Sequence, residues 1–146
     1  MVRERGLLLQ IVVGMEDPRV YHPNLVVGNT DATPLVPILK AEPAARVQLL
    51  HFTGDLRGAD LAKLVSQTSV TMDISRWEGN GAVGRMIGTA PESRAVRVPV
   101  ERVLFGSHAP YFPLETALLK LVESPASAAQ LHAIMQGNAR RLLPQA

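Results

Sequence analysis

The chain has 146 residues, 47% of them hydrophobic and only 19% charged, so it has enough apolar material for one packed domain and is not a disordered chain. Fifteen Lys and Arg nearly balance thirteen Asp and Glu, and no basic block is interleaved with aromatic residues, which argues against a nucleic-acid-binding protein. The sequence has no Cys, which excludes disulfides and thiolate chemistry and favours the cytoplasm.

Short apolar or β-branched runs alternate along the chain with segments whose apolar residues have helical spacing. Strands are predicted over residues 6–13, 46–52, 69–75 and 102–107, and helices over 34–42, 58–67, 81–89, 113–124 and 127–143. Such repeated strand-helix units indicate an α/β protein with a parallel sheet, either open and doubly wound or part of a barrel. The segment 79–81 lacks the spacing of a phosphate-binding loop, which argues against a nucleotide-binding protein.

The first apolar run bears on membrane association, and the segment that follows it bears on substrate contact. Residues 7–13 are too few to span a bilayer and carry no signal-peptide cleavage pattern, so no membrane association is predicted. Residues 15–31 contain two Pro and a Gly-Asn pair and are predicted to form a long loop after the first strand.

Histidines near the predicted strand ends are the first candidates for chemistry, because parallel sheets place ligand-binding groups at the carboxyl ends of their strands. His51 ends the second strand and His108 follows the fourth, so their imidazoles can converge on one metal ion or substrate. His22, in the long loop, can join them. The alternative is that each histidine is an isolated polar residue with a backbone partner, since no short-range metal-ligand spacing is present.

Other polar residues near strand ends are candidates for contacting a small-molecule substrate. Glu16, Asp17 and Arg19 lie in the loop after the first strand, where the two acids could also be simply solvated. Asp73, in the third strand, is expected to bond to a neighbouring loop. Trp77, the only Trp, either lines a pocket or covers the rim of the sheet.

Residues 99–112, followed after one helix by residues 137–142, resemble the C-terminal end of the amidohydrolase-related family of metal-dependent hydrolases. The resemblance implies that all 146 residues form one domain equivalent to the back half of a (β/α)8 barrel, from strand five to strand eight. It also implies a divalent metal, most commonly zinc, that activates water for attack on a C–N or C–O bond or supports decarboxylation in related members.

The resemblance assigns roles to residues at three strand ends. His51 matches the family's strand-six ligand, whereas Val12 stands where the family has its strand-five histidine and cannot bind metal. On strand eight the usual Gly-Ser-Asp is here Gly106-Ser107-His108. We therefore expect His51 and His108, aided by His22, to be the metal-binding residues, with His51 and His108 also catalytic.

Half a barrel has two sheet edges without neighbours and an exposed inner face. The sequence therefore predicts a homo-oligomer or a partner segment that completes the barrel. Two functions remain open: a metal-dependent hydrolase or related decarboxylase, and a non-catalytic half-barrel that binds a ligand or partner and self-associates.

Overall fold

The computed structural model describes residues 4–14, 22–24, 27–52, 56, 58–90 and 96–143. In chain order its strands are β1 (Leu8–Val12), β2 (Arg46–Leu50), β3 (Thr71–Asp73) and β4 (Val103–Leu104). Its helices are α1 (Leu35–Ala41), α2 (Gly58–Gln67), α3 (Ala82–Ile87), α4 (Leu114–Val122), α5 (Ala128–His132) and α6 (Asn138–Leu142).

The four strands form one parallel sheet in the order β1-β2-β3-β4, which confirms the predicted α/β class of parallel strand-helix units. The predicted third and fourth strands were too long. Residues 100–102 form a 3-10 turn, so β4 keeps only two residues. The length of a strand depends on its backbone pairing with a neighbouring strand, and this pairing cannot be predicted from composition.

The hydrophobic core lies on the face of the sheet that carries Leu49, Met72 and Val103, which are adjacent in register. All three are fully buried, together with Leu64 of α2 and Val83 of α3. Burying each of these side chains contributes about 1.5–3 kcal/mol, so this layer of helices supports the whole sheet.

The opposite face of the sheet is polar where its strands pair. Gln10, Gln48 and Thr71 lie in one row, and the side-chain amide of Gln10 donates a hydrogen bond to the side-chain oxygen Oε1 of Gln48 at 3.0 Å. The Thr71 hydroxyl donates to the Val47 carbonyl at 3.1 Å. Gln48 and Thr71 are buried, so hydrogen bonding offsets the cost of removing them from water.

The C-terminal helical segment covers part of the outer edge of β4. The Asn138 amide donates to the carbonyls of Val100 and Val103 at 2.7 Å each, and the Phe105 N–H donates to the Ile134 carbonyl at 3.0 Å. The sequence predicted two open sheet edges, and at β4 this is wrong, because these helical residues supply partners for strand backbone groups. At β1 no residue in the described ranges bonds to the outward backbone groups of Leu8, Gln10 and Val12.

The single helix predicted over residues 127–143 is continuous in the structure from Ala128 to Leu142, with a π turn between its two α-helical parts, α5 and α6. A reciprocal pair of hydrogen bonds between Ser127 and Gln130 caps the start of α5. The π turn, Ala133–Gly137, contains the Ile134 carbonyl that bonds to the strand edge. Among the described helices, none has the length and apolar character needed to cross a membrane.

Candidate functional site

His51 and His108 are brought together at the carboxyl end of the sheet. His51 directly follows β2 and His108 lies four residues after β4. Their rings stack with centroids 3.9 Å apart and planes 11° apart. Both residues have a left-handed backbone conformation, with φ of 53° and 59°, which residues other than glycine rarely adopt. The predicted convergence of these two histidines is therefore present in the structure.

The hydrogen bond of the His51 ring fixes its tautomer. Its Nδ1 lies 3.1 Å from the Gly14 carbonyl oxygen, which can only accept a hydrogen bond. The Nδ1 atom therefore carries the hydrogen in the neutral ring, and Nε2 keeps its lone pair. His51 thus presents Nε2 as a proton acceptor or a ligand atom.

Asp73, the last residue of β3, is bonded to the end of the neighbouring strand β2. Its Oδ1 accepts the backbone N–H of His51 at 3.1 Å, and the Ser75 hydroxyl lies 3.0 and 2.9 Å from its two carboxylate oxygens. The hydrogen bond expected between Asp73 and a neighbouring loop is thus present. Burial raises the pKa of Asp73 above its ordinary value of 3.8, and the bonds from Ser75 and His51 offset only part of this effect.

Gly106, in the predicted Gly-Ser-His segment, gives the Asp73 carboxylate its space. A Cβ at position 106 would lie 2.8 Å from the Asp73 Oδ2 atom. A side chain larger than hydrogen would therefore displace this carboxylate, which is a physical reason for glycine here.

His108 is enclosed by aromatic rings and a positive charge. The rings of Tyr111 and Phe112 lie 5.4 and 5.1 Å from its centroid, and the Arg76 guanidinium lies 5.8 Å from the centre of Phe112. Burial, followed by the charges of His51 and Arg76, lowers the pKa of His108 below its ordinary value of 6.5. These surroundings therefore favour the neutral imidazole of His108 over the charged one.

Two buried nitrogen atoms of this cluster have no partner among the described residues: His108 Nδ1 and Arg76 Nε. A buried polar atom without a hydrogen bond costs about 1–3 kcal/mol, and such costs are typical of functional sites. The sequence reasoning missed Arg76 and Ser75. Their positions, at the end of the third predicted strand and directly after it, were the only available signal.

The remaining predicted site residues lie apart from this cluster or outside the described part. His22 is exposed, and its Nδ1 accepts the backbone N–H of Asn24 at 3.2 Å. Trp77 stacks on Phe52 at 5.4 Å and donates to the Ala82 carbonyl at 2.7 Å, so its polar atom is already used. Substrate contact by Trp77 stays a prediction.

The three loop residues predicted to contact substrate, Glu16, Asp17 and Arg19, fall outside the described residues.

The described residues do not by themselves fit the expected zinc ion. Within those ranges, no three His, Asp or Glu side chains are grouped closely enough to hold a metal. Imidazole lone pairs lie in the ring plane, and the nearly parallel planes of His51 and His108 do not meet at a common ion. A zinc site needs three or four protein ligands with converging lone pairs.

The fold recurs in solved structures of TIM-barrel proteins. An uncharacterized TIM-barrel protein from Bordetella bronchiseptica is 17% identical, with a TM-score of 0.67 over 97% of this chain and 47% of that one. A 2,6-dihydroxybenzoate decarboxylase complexed with 2,6-dihydroxybenzoate is 14% identical (TM-score 0.61), and the Rhizobium 2,6-dihydroxybenzoate decarboxylase is 14% identical (TM-score 0.59). Each decarboxylase comparison covers 97% of this chain and 52% of the other.

No protein-family model and no curated protein sequence matches the chain. The chain spans about half the length of the solved structures that it resembles. At these identities the likeness establishes the fold, and the parallel sheet with alternating helices is that of TIM-barrel proteins.

Proposed function

We propose that this chain is the C-terminal half of an amidohydrolase-like barrel and acts on a small molecule at the carboxyl ends of its strands. The reaction is hydrolysis of a C–N or C–O bond, or a related decarboxylation. The observation that carries the proposal is the stacked pair His51 and His108 beside the buried carboxyl of Asp73, at three neighbouring strand ends.

Proton transfer is the chemistry that these residues can supply. His51 Nε2 is available as a proton acceptor because Nδ1 is bonded to the Gly14 carbonyl. Asp73 positions His51 through the backbone N–H and does not need to touch substrate. The neutral imidazole of His108, which burial favours, can accept a second proton or donate the hydrogen on one of its ring nitrogens.

Arg76 indicates an acidic substrate. Its guanidinium lies at the Phe112 ring, next to His108, and supplies positive charge at the strand-end cluster. A guanidinium binds a carboxylate through paired hydrogen bonds. Two of the similar structures are decarboxylases that act on an aromatic acid, which supports a substrate that bears a carboxylate.

The proposed proton transfers do not involve a metal ion. The expected divalent ion, zinc first, would need ligands in addition to the stacked pair, and His22 does not join it in the described structure. The dependence of turnover on a metal ion is therefore tested separately, by measurements with and without an added divalent ion.

A second function is favoured by the unpaired edge of β1. The outward backbone groups of Leu8, Gln10 and Val12 have no partner among the described residues, and Leu7 and Leu9 are exposed. Such an edge pairs with another strand, either from a second copy or from a segment that completes the barrel. This edge of β1 is where a non-catalytic half-barrel that binds a ligand would self-associate.

The experiment measures turnover by the purified full chain with and without added zinc or manganese. The panel holds aryl esters, lactones, amides and hydroxybenzoic acids. We expect His51→Asn and His108→Asn each to lower kcat/KM by about 100-fold or more, as expected for loss of acid–base catalysis. His132→Asn, which alters an exposed histidine of α5, is the matched control and should keep full activity.

Either of two results would contradict the catalytic proposal. One is equal activity in His51→Asn and the parent chain. The other is a stable dimer without turnover on any member of the panel, which would favour the non-catalytic half-barrel.

A further inference from the structure

A cleft of about 370 Å³ opens beside the strand-end cluster, between the loop after β3 and helix α4. This volume is within the range of small-molecule sites, about 300–1,000 Å³. Phe112, Pro113 and Leu119 form its apolar wall, and Glu78 and Glu123 contribute carboxylates. The cleft can therefore receive a molecule with an apolar body.

Among the described residues, Lys120 is the one that brings an amine to this cleft. Its Nζ atom donates to the backbone carbonyls of Ile74 at 2.9 Å and Ser75 at 3.3 Å. A neutral amine has two N–H hydrogens and one lone pair. When the amine is neutral, the two carbonyls can accept both hydrogens, which leaves the lone pair for a ligand.

Burial also favours the neutral form of this amine. It lowers the pKa of Lys120 below its ordinary value of 10.5, and the negative charges of Glu78 and Asp73 offset only part of the effect. Glu123 is the other carboxylate of the cleft. At a given pH a lower pKa raises the neutral fraction, and the neutral amine is the nucleophile.

The hydroxyl groups that line the cleft are already engaged. Thr116 donates to the Pro113 carbonyl at 2.7 Å, and Ser75 donates to the Asp73 carboxylate. Lys120 is therefore the group in the cleft best placed to form a covalent bond.

We propose that Lys120 is a nucleophilic amine that captures an uncharged aldehyde or ketone in this cleft as an imine. The nitrogen adds to the carbonyl carbon and both amine hydrogens leave with the carbonyl oxygen as water, so that a C=N bond replaces the C=O bond. Glu78 and Glu123 disfavour anionic carbonyl compounds such as 2-oxo acids. The apolar wall favours an aromatic or aliphatic body.

The experiment traps the imine in the folded full chain. The protein is incubated with benzaldehyde and cyanoborohydride, which adds hydride to the imine carbon and leaves a stable secondary amine. The chain has three lysines, and exposed Lys40 and Lys63 are internal controls. Peptide mass spectrometry should show Lys120 labelled severalfold faster than either control at neutral pH, and less by pyruvate than by benzaldehyde.

A matched variant and an unfolded sample complete the test. Lys120→Arg keeps hydrogen-bond donors at this position but removes the nucleophilic amine, so labelling at position 120 should be lost while Lys40 and Lys63 react as before. In urea the three lysines of the parent chain should react at similar rates. The proposal is overturned if Lys120 reacts no faster than Lys40 and Lys63 in the folded chain.

Discussion

His51 and His108 adopt a left-handed backbone at the ends of two strands. For residues other than glycine such a conformation costs of order 1 kcal/mol or more, so the surrounding structure must hold it. In this chain that support includes the bond from the His51 N–H to Asp73 and the stacking of the two rings. Backbone strain of this kind is concentrated at active and binding sites.

The titration of His108 follows from its burial. Because burial and the charges of His51 and Arg76 lower the pKa of His108, its C2 proton should titrate below the ordinary histidine value of 6.5. The unfolded chain then binds a proton more readily than the folded one, so the free energy of unfolding should fall as the pH drops below 6.5.

Proton NMR between pH 5 and 8 measures the pKa of His108. Urea unfolding of His108→Gln, compared with the parent chain over the same range, tests the sign of the effect on the free energy of unfolding. A His108 pKa at or above 6.5 would contradict the expected direction.

Sequence reasoning found part of the site at the residue scale. His51 and His108 were identified because parallel strands bring their carboxyl ends to one edge of a sheet. Ser75 and Arg76 were missed because their contacts depend on how the chain turns after β3. His22 was expected to join the pair, and in the structure it bonds to its own turn at Asn24.

At the scale of elements, the order of strands and helices was predictable because each strand is a short apolar run and each helix has an apolar stripe. Their ends were not, because partners distant in sequence determine them. The clearest case is Asn138, whose amide bonds to Val100 and Val103 about 35 residues earlier. No local pattern reports this contact.

Removing that amide should destabilise the fold. Asn138→Ala leaves the backbone carbonyls of Val100 and Val103 without their donor, and we expect a loss of roughly 2–4 kcal/mol in the free energy of unfolding. Urea unfolding followed by circular dichroism measures it. Gln136→Ala, an exposed position in the preceding π turn, is the control and should change stability by less than about 0.5 kcal/mol.

At the scale of the whole molecule, the four parallel strands share the fold of TIM-barrel proteins over about half of their length. The two edges of the sheet differ: residues of the C-terminal helices partly cover the outer edge of β4, whereas the outer edge of β1 has no partner among the described residues. Composition predicted the class of fold. It does not encode the covering of the β4 edge by the C-terminal helices, because that is a tertiary contact. We expect any partner strand to pair first at β1.

If the proposed function is right, a small acid binds beside His51 and His108. The chain has four histidines, so the imidazole C2 resonances of His22, His51, His108 and His132 can all be followed during a titration with 2,6-dihydroxybenzoate. We expect saturable shifts of the His51 and His108 resonances, with those of His22 and His132 unchanged. Four unmoved resonances, or equal movement of all four, would contradict it.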